Sequence, residues 1–142
     1  MNFTGKVLIV DDEAHIRKFV GLIVKSLGRP TIIEAPDGEA ALHIFDLERP
    51  DLVLLDVNMP RLDGIQTLQR LKQHDPDCLV VMLTSLVNRQ TVEECLRLGA
   101  TGYLRKDTPP QEITAQLSAI IAECFGDDPP PPAPKSPAPA TP

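Results

Sequence analysis

The sequence predicts an α/β fold: a doubly wound, five-stranded parallel sheet sandwiched by five helices. Three observations carry this expectation. Apolar runs rich in β-branched residues alternate with helical patterns five times along the 142 residues. The runs 7–10, 52–55 and 79–83 are continuously apolar, which fits strands covered on both faces. Helix-capping residues, glycines and prolines fall between the runs, where the chain has to turn.

In chain order, the first unit pairs a strand at 6–10 with a helix at 13–27, followed by Gly28, a favoured left-handed residue past a helix end. The second pairs a strand at 31–34 with a helix at 37–47. In the third, a strand at 51–56 leads to a helix at 63–74, which Asp63 opens with Gln66 three residues on, the pattern of a capping box. The fourth joins a strand at 79–84 to a helix at 88–98, closed by Gly99. The fifth strand covers 101–105 and the fifth helix 110–125. Thr108-Pro109-Pro110-Gln111 reads as a second capping box, with proline at the first helical position. Ile113, Leu117, Ile120, Ile121 and Cys124 line one face of that last helix and predict a core stripe. Residues 1–126 therefore form one domain. From 127 the character changes: residues 129–142 hold eight prolines and no large apolar side chain, so 127–142 is expected to be a disordered tail.

Composition narrows the function classes. With 14 Lys+Arg against 20 Asp+Glu the formal charge is -6, which argues against a nucleic-acid surface. No apolar run approaches the length of a membrane span, and the first residues do not read as a signal peptide. Cys78, Cys95 and Cys124 are odd in number and lie within apolar patterns, so buried thiols in a reducing cytoplasm are expected rather than a disulfide or zinc site. His15, His43 and His74 are scattered and predict solvated helix positions.

The acidic residues are more telling. Asp56 ends the apolar run Leu52-Val53-Leu54-Leu55, and Asp11-Asp12 end the run Val7-Leu8-Ile9-Val10. If these two strands lie parallel and adjacent, three carboxylates converge on one sheet edge. Like charges that close oppose each other's ionisation unless a cation sits among them. A hard divalent ion with oxygen ligands, magnesium accompanied by a phosphate, fits that cluster. Ligands of such sheets bind beyond the carboxyl ends of the strands, where these residues fall. Taken singly, Asp11 or Asp12 also reads as an N-cap of the first helix.

Five pieces in order resemble the receiver domain of two-component response regulators over residues 5 to about 125. They are Asp11-Asp12; Pro50 through Asp56; Met59-Pro60 with Asp63-Gly64; Thr84-Ser85; and Gly99 through Lys106. The resemblance implies a flavodoxin-like sheet in the order 2-1-3-4-5, as in the chemotaxis member of that family. It implies that Asp56 takes a phosphoryl group from a histidine kinase or phosphotransfer protein. It further implies that Asp12, Asp56 and the Asn58 carbonyl ligate magnesium, with Asp11 holding a coordinated water. Lys106 and Thr84 then contact phosphoryl oxygens. Tyr103 turns inward as Thr84 moves, which reshapes the face of helix 4, strand 5 and helix 5 that binds a downstream effector. The chain departs from the family's frequent Lys-Pro at Lys106-Asp107. A cis bond before a non-proline costs roughly 2.5–4 kcal/mol, so this peptide is expected to be trans.

The function expected is that of a cytoplasmic phosphoaccepting signalling domain without its own output domain, inserting in no membrane and touching no nucleic acid. It is not expected to be a turnover enzyme. Two other readings fit the sequence less well. A phosphohydrolase of the haloacid dehalogenase type places its nucleophile after the first strand with a second Asp two residues on, whereas here Asp56 follows the third strand and position 58 is Asn. A phosphorylation-independent scaffold would have no need to retain Asp11, Asp12, Asp56, Thr84 and Lys106.

Overall fold

A computed structural model describes residues 2–85 and 89–126. The elements run β1 (Lys6–Val10), α1 (Ala14–Lys25), β2 (Thr31–Ala35), α2 (Gly38–Glu48), β3 (Leu52–Asp56), α3 (Gly64–His74), β4 (Val80–Thr84), α4 (Arg89–Arg97), β5 (Gly102–Arg105) and α5 (Pro110–Phe125). The strands form one sheet in the order β2-β1-β3-β4-β5, and all four pairings are parallel. All ten expected elements are present, each within two residues of its expected ends. The expected tail at 127–142 and the start of the fourth helix at 88 lie outside the described residues.

Why the apolar runs are continuous is evident from the packing. In β1, Leu8 and Val10 face one core while Val7 and Ile9 face the other, and β3 divides Val53 and Leu55 from Leu52 and Leu54 in the same way. The first core carries Phe45, Leu68 and Leu71 of α2 and α3. The second carries Val20, Ile23 and Val24 of α1 with Ile113, Leu117 and Ile121 of α5. A strand buried on both faces has no polar side to alternate. The stripe read on α5 is thus a core face, with Ile120 packed at its margin and Cys124 partly buried. Cys78 and Cys95 are buried free thiols, and burial pushes both pKa values up.

The capping box on α3 forms as expected: Gln66 N–H donates to Asp63 Oδ1 at 2.8 Å and Asp63 N–H to Gln66 Oε1 at 3.1 Å. The box expected on α5 does not form. Its N-cap is Pro109, with no side-chain bond, and Thr108 lies outside the helix. Pro110 bars the residue before it from helical backbone, and Pro109 is accordingly extended at φ -55° and ψ 142°, so helix begins only at Pro110. At α1, Glu13 and not Asp11 or Asp12 takes the N-cap position, although Asp11 Oδ1 accepts the Glu13 N–H at 2.9 Å. Gly99 follows α4 at φ +102°. Gly28, at φ +150°, does more than end α1: its backbone bridges to Phe3, and a Cβ there would strike the Phe3 main chain.

Candidate functional site

Parallel register places the site. Val10 lies opposite Leu55, so Asp11 and Asp56 are the next residues out along adjacent strands. Asp56 pairs with Leu83, Thr84 with Arg105, and Lys106 N–H donates to the Thr84 carbonyl at 2.8 Å. The carboxyl ends of β1, β3, β4 and β5 therefore deliver Asp11, Asp56, Thr84 and Lys106 to one edge. Gly64 lets α3 start against this edge, with its N–H on the Val57 carbonyl at 2.9 Å. A side chain at Gly64 would collide with the Asp56 carbonyl oxygen and lie 2.7 Å from the Val57 Cα.

Asp11, Asp56 and Thr84 are buried, whereas Asp12 and Asn58 are exposed. The Lys106 ammonium stands 2.6 Å from Asp11 Oδ2 and 3.1 Å from Asp56 Oδ1. Burial pushes the Asp56 carboxyl up to about 6, against the pull of the Lys106 charge and hydrogen bond and the Asn58 N–H, and with a push from Asp11. Burial by itself would make the Lys106 ammonium easier to deprotonate. The close carboxylates of Asp11 and Asp56 outweigh that, so its pKa rises.

Oxygens of Asp11, Asp12 and Asp56 lie within 4.8 Å of one another. Three carboxylates in that space, balanced by one ammonium, leave negative charge over. Asp11 Oδ2 is buried, with the ammonium close but no aligned hydrogen bond. The donor set is all oxygen, which suits a hard divalent cation. Beside it opens a pocket of about 490 Å³, lined by Asp12, Asn58, Met59, Asp63 and Thr91 among others. Asn58 N–H reaches Asp56 Oδ1 at 3.3 Å. Tyr103 lies apart from this cluster, on β5 opposite Met82 and 44% exposed.

The Lys106-Asp107 peptide is trans, as expected, since no cis bond occurs among the described residues. The sequence reading missed what Asp107 does. Arg105 grips it through Nε–Oδ1 at 3.1 Å and Nη2–Oδ2 at 2.8 Å, so the residues either side of Lys106 are tied to each other while Lys106 reaches the carboxylates. Also missed was Arg17, which donates to the Asp11 carbonyl at 2.7 Å. Both contacts depend on the rotamers of long side chains, which the sequence pattern does not record.

No helix among the described residues is long and apolar enough to cross a membrane. Residues 7–118 match the family model of the response regulator receiver domain. A probable transcriptional regulator, ycf27, of Guillardia theta is 41% identical over 116 residues, which cover 82% of this chain and 45% of that protein. The alkaline phosphatase synthesis transcriptional regulatory protein PhoP of Bacillus subtilis is 39% identical over 118 residues, covering 82% and 48%. The chain thus spans about half the length of these relatives. Among solved structures, the Vibrio cholerae chemotaxis protein CheY4 is 29% identical with a TM-score of 0.75, covering 83% of this chain and 99% of that one. A chain of the Borrelia burgdorferi CheX-CheY-BeF3-Mg+2 complex is 31% identical with a TM-score of 0.77, covering 82% and 88%. With its sheet order, its strand-end carboxylates and this match, the chain belongs to the response regulator receiver domain family.

Proposed function

We propose that Asp56 accepts a phosphoryl group from a histidine kinase or phosphotransfer protein, and that the modified domain presents an altered α4–β5–α5 face to an effector protein. The observation that carries this reading is the convergence of Asp11, Asp12 and Asp56 with the Lys106 ammonium at the strand ends. In the transfer, the phosphorus–nitrogen bond of a phosphohistidine breaks with its electron pair staying on the imidazole, and a bond forms from phosphorus to an Asp56 oxygen. A carboxylate is a weak nucleophile, so alignment and charge neutralisation supply the rate. Lys106 exchanges its carboxylate contacts for a phosphoryl oxygen, and the Thr84 hydroxyl donates to another. Asp12, Asp56 and the Asn58 carbonyl would hold magnesium, with Asp11 beside them through water, and the ion would supply neutralisation of the oxygens' charge during the transfer. Attack by water on phosphorus later releases phosphate and restores the carboxylate. The domain so promotes its own modification and its reversal without turning over an external substrate.

This activity resides in residues 1–126. A cytoplasmic setting suits its three free cysteines. The formal charge of -6 over the full chain favours a protein partner over nucleic acid. Incubation with acetyl phosphate and magnesium, read by intact mass, should give one hydroxylamine-labile adduct in the wild type and none in Asp56→Asn. Equal labelling of both proteins would refute the assignment of Asp56. Hydrogen exchange with beryllofluoride, standing in for the phosphoryl group, should change at Tyr103 as well as around Asp56. Thr84 moving toward the phosphoryl group vacates space for the ring, and contacts made in only one conformation shift the balance between two. Protection confined to the loops bearing Asp11, Asp56 and Lys106 would place the output surface elsewhere.

A further inference from the structure

Arg17 lies in the first turn of α1, and its guanidinium is engaged on two sides. Nη1 donates to the Asp11 carbonyl at 2.7 Å, and Nε donates to Glu34 Oε1 at 2.8 Å. The Arg17 side chain is 16% exposed and that of Glu34 44%. The carbonyl it grips belongs to the peptide joining Asp11 to Asp12. The same stretch is tied before that peptide by Asp11 N–H on the Ala35 carbonyl at 3.2 Å. It is tied after it by Glu13 N–H on Asp11 Oδ1 at 2.9 Å. β2 therefore holds this turn twice, once directly through Ala35 and once through Glu34 and Arg17. The parallel register that sets Ile9 opposite Glu34 and Val10 opposite Ala35 makes both ties possible.

Asp12 is the exposed member of the carboxylate cluster, and no hydrogen bond or ion pair among the described residues holds its side chain. Its direction is set by the backbone that carries it, and Arg17 fixes that backbone one bond away. We infer that Arg17, buttressed by Glu34, is a positioning residue that aims the Asp12 carboxylate at the cation; the inference rests on the magnesium site proposed above.

Charge and position predict opposite signs, which makes the idea testable. A guanidinium near a dication repels it, so if charge were its only effect, neutralising Arg17 would tighten magnesium binding. Loss of an outer-shell group that orients a ligand weakens binding, typically by about tenfold or more. Calorimetric titration of the full chain with magnesium, with melting temperature measured alongside, separates the two. Arg17→Met should bind magnesium about tenfold more weakly. Arg17→Lys keeps the charge but cannot span both partners, and should fall between Arg17→Met and wild type. Glu34→Ala removes the acceptor that Arg17 Nε holds and should weaken binding by less than Arg17→Met. Unchanged or tighter binding by Arg17→Met would overturn the inference, whatever the change in melting temperature. If Arg17→Met does not fold, wild-type affinity in Arg17→Lys overturns it instead. Asp12→Ala is the separate control: magnesium binding undiminished in that variant refutes the metal site itself, not the role of Arg17.

Discussion

Two ion pairs meet within three consecutive residues at the end of β5, and they sit in opposite surroundings. Lys106 has 15% of its side chain exposed and reaches Asp11 and Asp56, which are nearly or wholly buried. Arg105 and Asp107 pair with better geometry, both prongs of the fork engaged, yet their side chains are 45% and 56% exposed. Geometry alone would rank the outer pair higher. Burial reverses the ranking, because water screens exposed charges while buried ones depend on their partners. The inner pair also holds two carboxylates against one ammonium, and the surplus charge is what gives the site an appetite for a cation or a phosphoryl group's counter-ion. The outer pair is balanced and has no such demand.

The strongest way to break this contrast is to remove the inner cation. Lys106→Met leaves Asp11 and Asp56 buried without a positive partner, and should lower metal-free stability at pH 7 by roughly 3–5 kcal/mol in denaturant unfolding. Added magnesium should recover part of that loss, since a cation bound only by the folded chain stabilises it. A Lys106→Met protein as stable as wild type without metal would mean that the buried carboxylates carry no net charge there.

Removing one inner carboxylate should act in the opposite direction. The folded pKa of Asp56 is about 6, raised from 3.8. A raised carboxyl favours the folded state while protonated; that advantage is complete below the unfolded pKa and is lost as pH climbs through about 6. At pH 7 the wild type has forfeited up to about 3 kcal/mol on this account. Asp56→Asn does not ionise and avoids the loss. In metal-free urea unfolding it should exceed wild type by about 2–3 kcal/mol at pH 7, with the two converging near pH 4. A constant difference between pH 4 and pH 7 would show that packing, not ionisation, separates them.

The inner carboxylate cluster was legible in the sequence, whereas the contacts of Lys106 with it and the outer pair were not, for a physical reason. Apolar runs ending in Asp11 and Asp56 dictate buried strands, and parallel pairing brings their ends together, so pattern and topology suffice for the cluster. Arg105–Asp107 and Arg17–Glu34 depend on rotamers of long side chains, which no periodicity records. Turns show the same divide. The Asp63–Gln66 box was readable because both partners are local, whereas Pro110 keeps Pro109 out of helical backbone, which makes Pro109 the N-cap and leaves Thr108 outside the helix. Arg61, beside the site, takes φ 65°, a left-handed conformation that its side-chain type gives no reason to expect.

The smallest effect should come from breaking the outer pair. Arg105 holds the Asp107 carboxyl below its ordinary pKa, chiefly through their hydrogen bonds. A depressed carboxyl contributes stability above its unfolded pKa and loses it as pH falls through the folded value, so any benefit of this pair is present at neutral pH. Both partners are nevertheless open to solvent, where exposed pairs contribute little and salt screens the remainder. The backbone beside Lys106 has its own tie, Lys106 N–H on the Thr84 carbonyl at 2.8 Å, which survives without the fork. Asp107→Ala should therefore melt with the wild type at physiological ionic strength, and any difference at low salt should vanish as salt is added. Its labelling by acetyl phosphate should match the wild type as well. A melting difference that persists at high salt, or slower labelling, would mean that the fork sets the direction of Lys106, and that the outer pair serves the site as the inner one does.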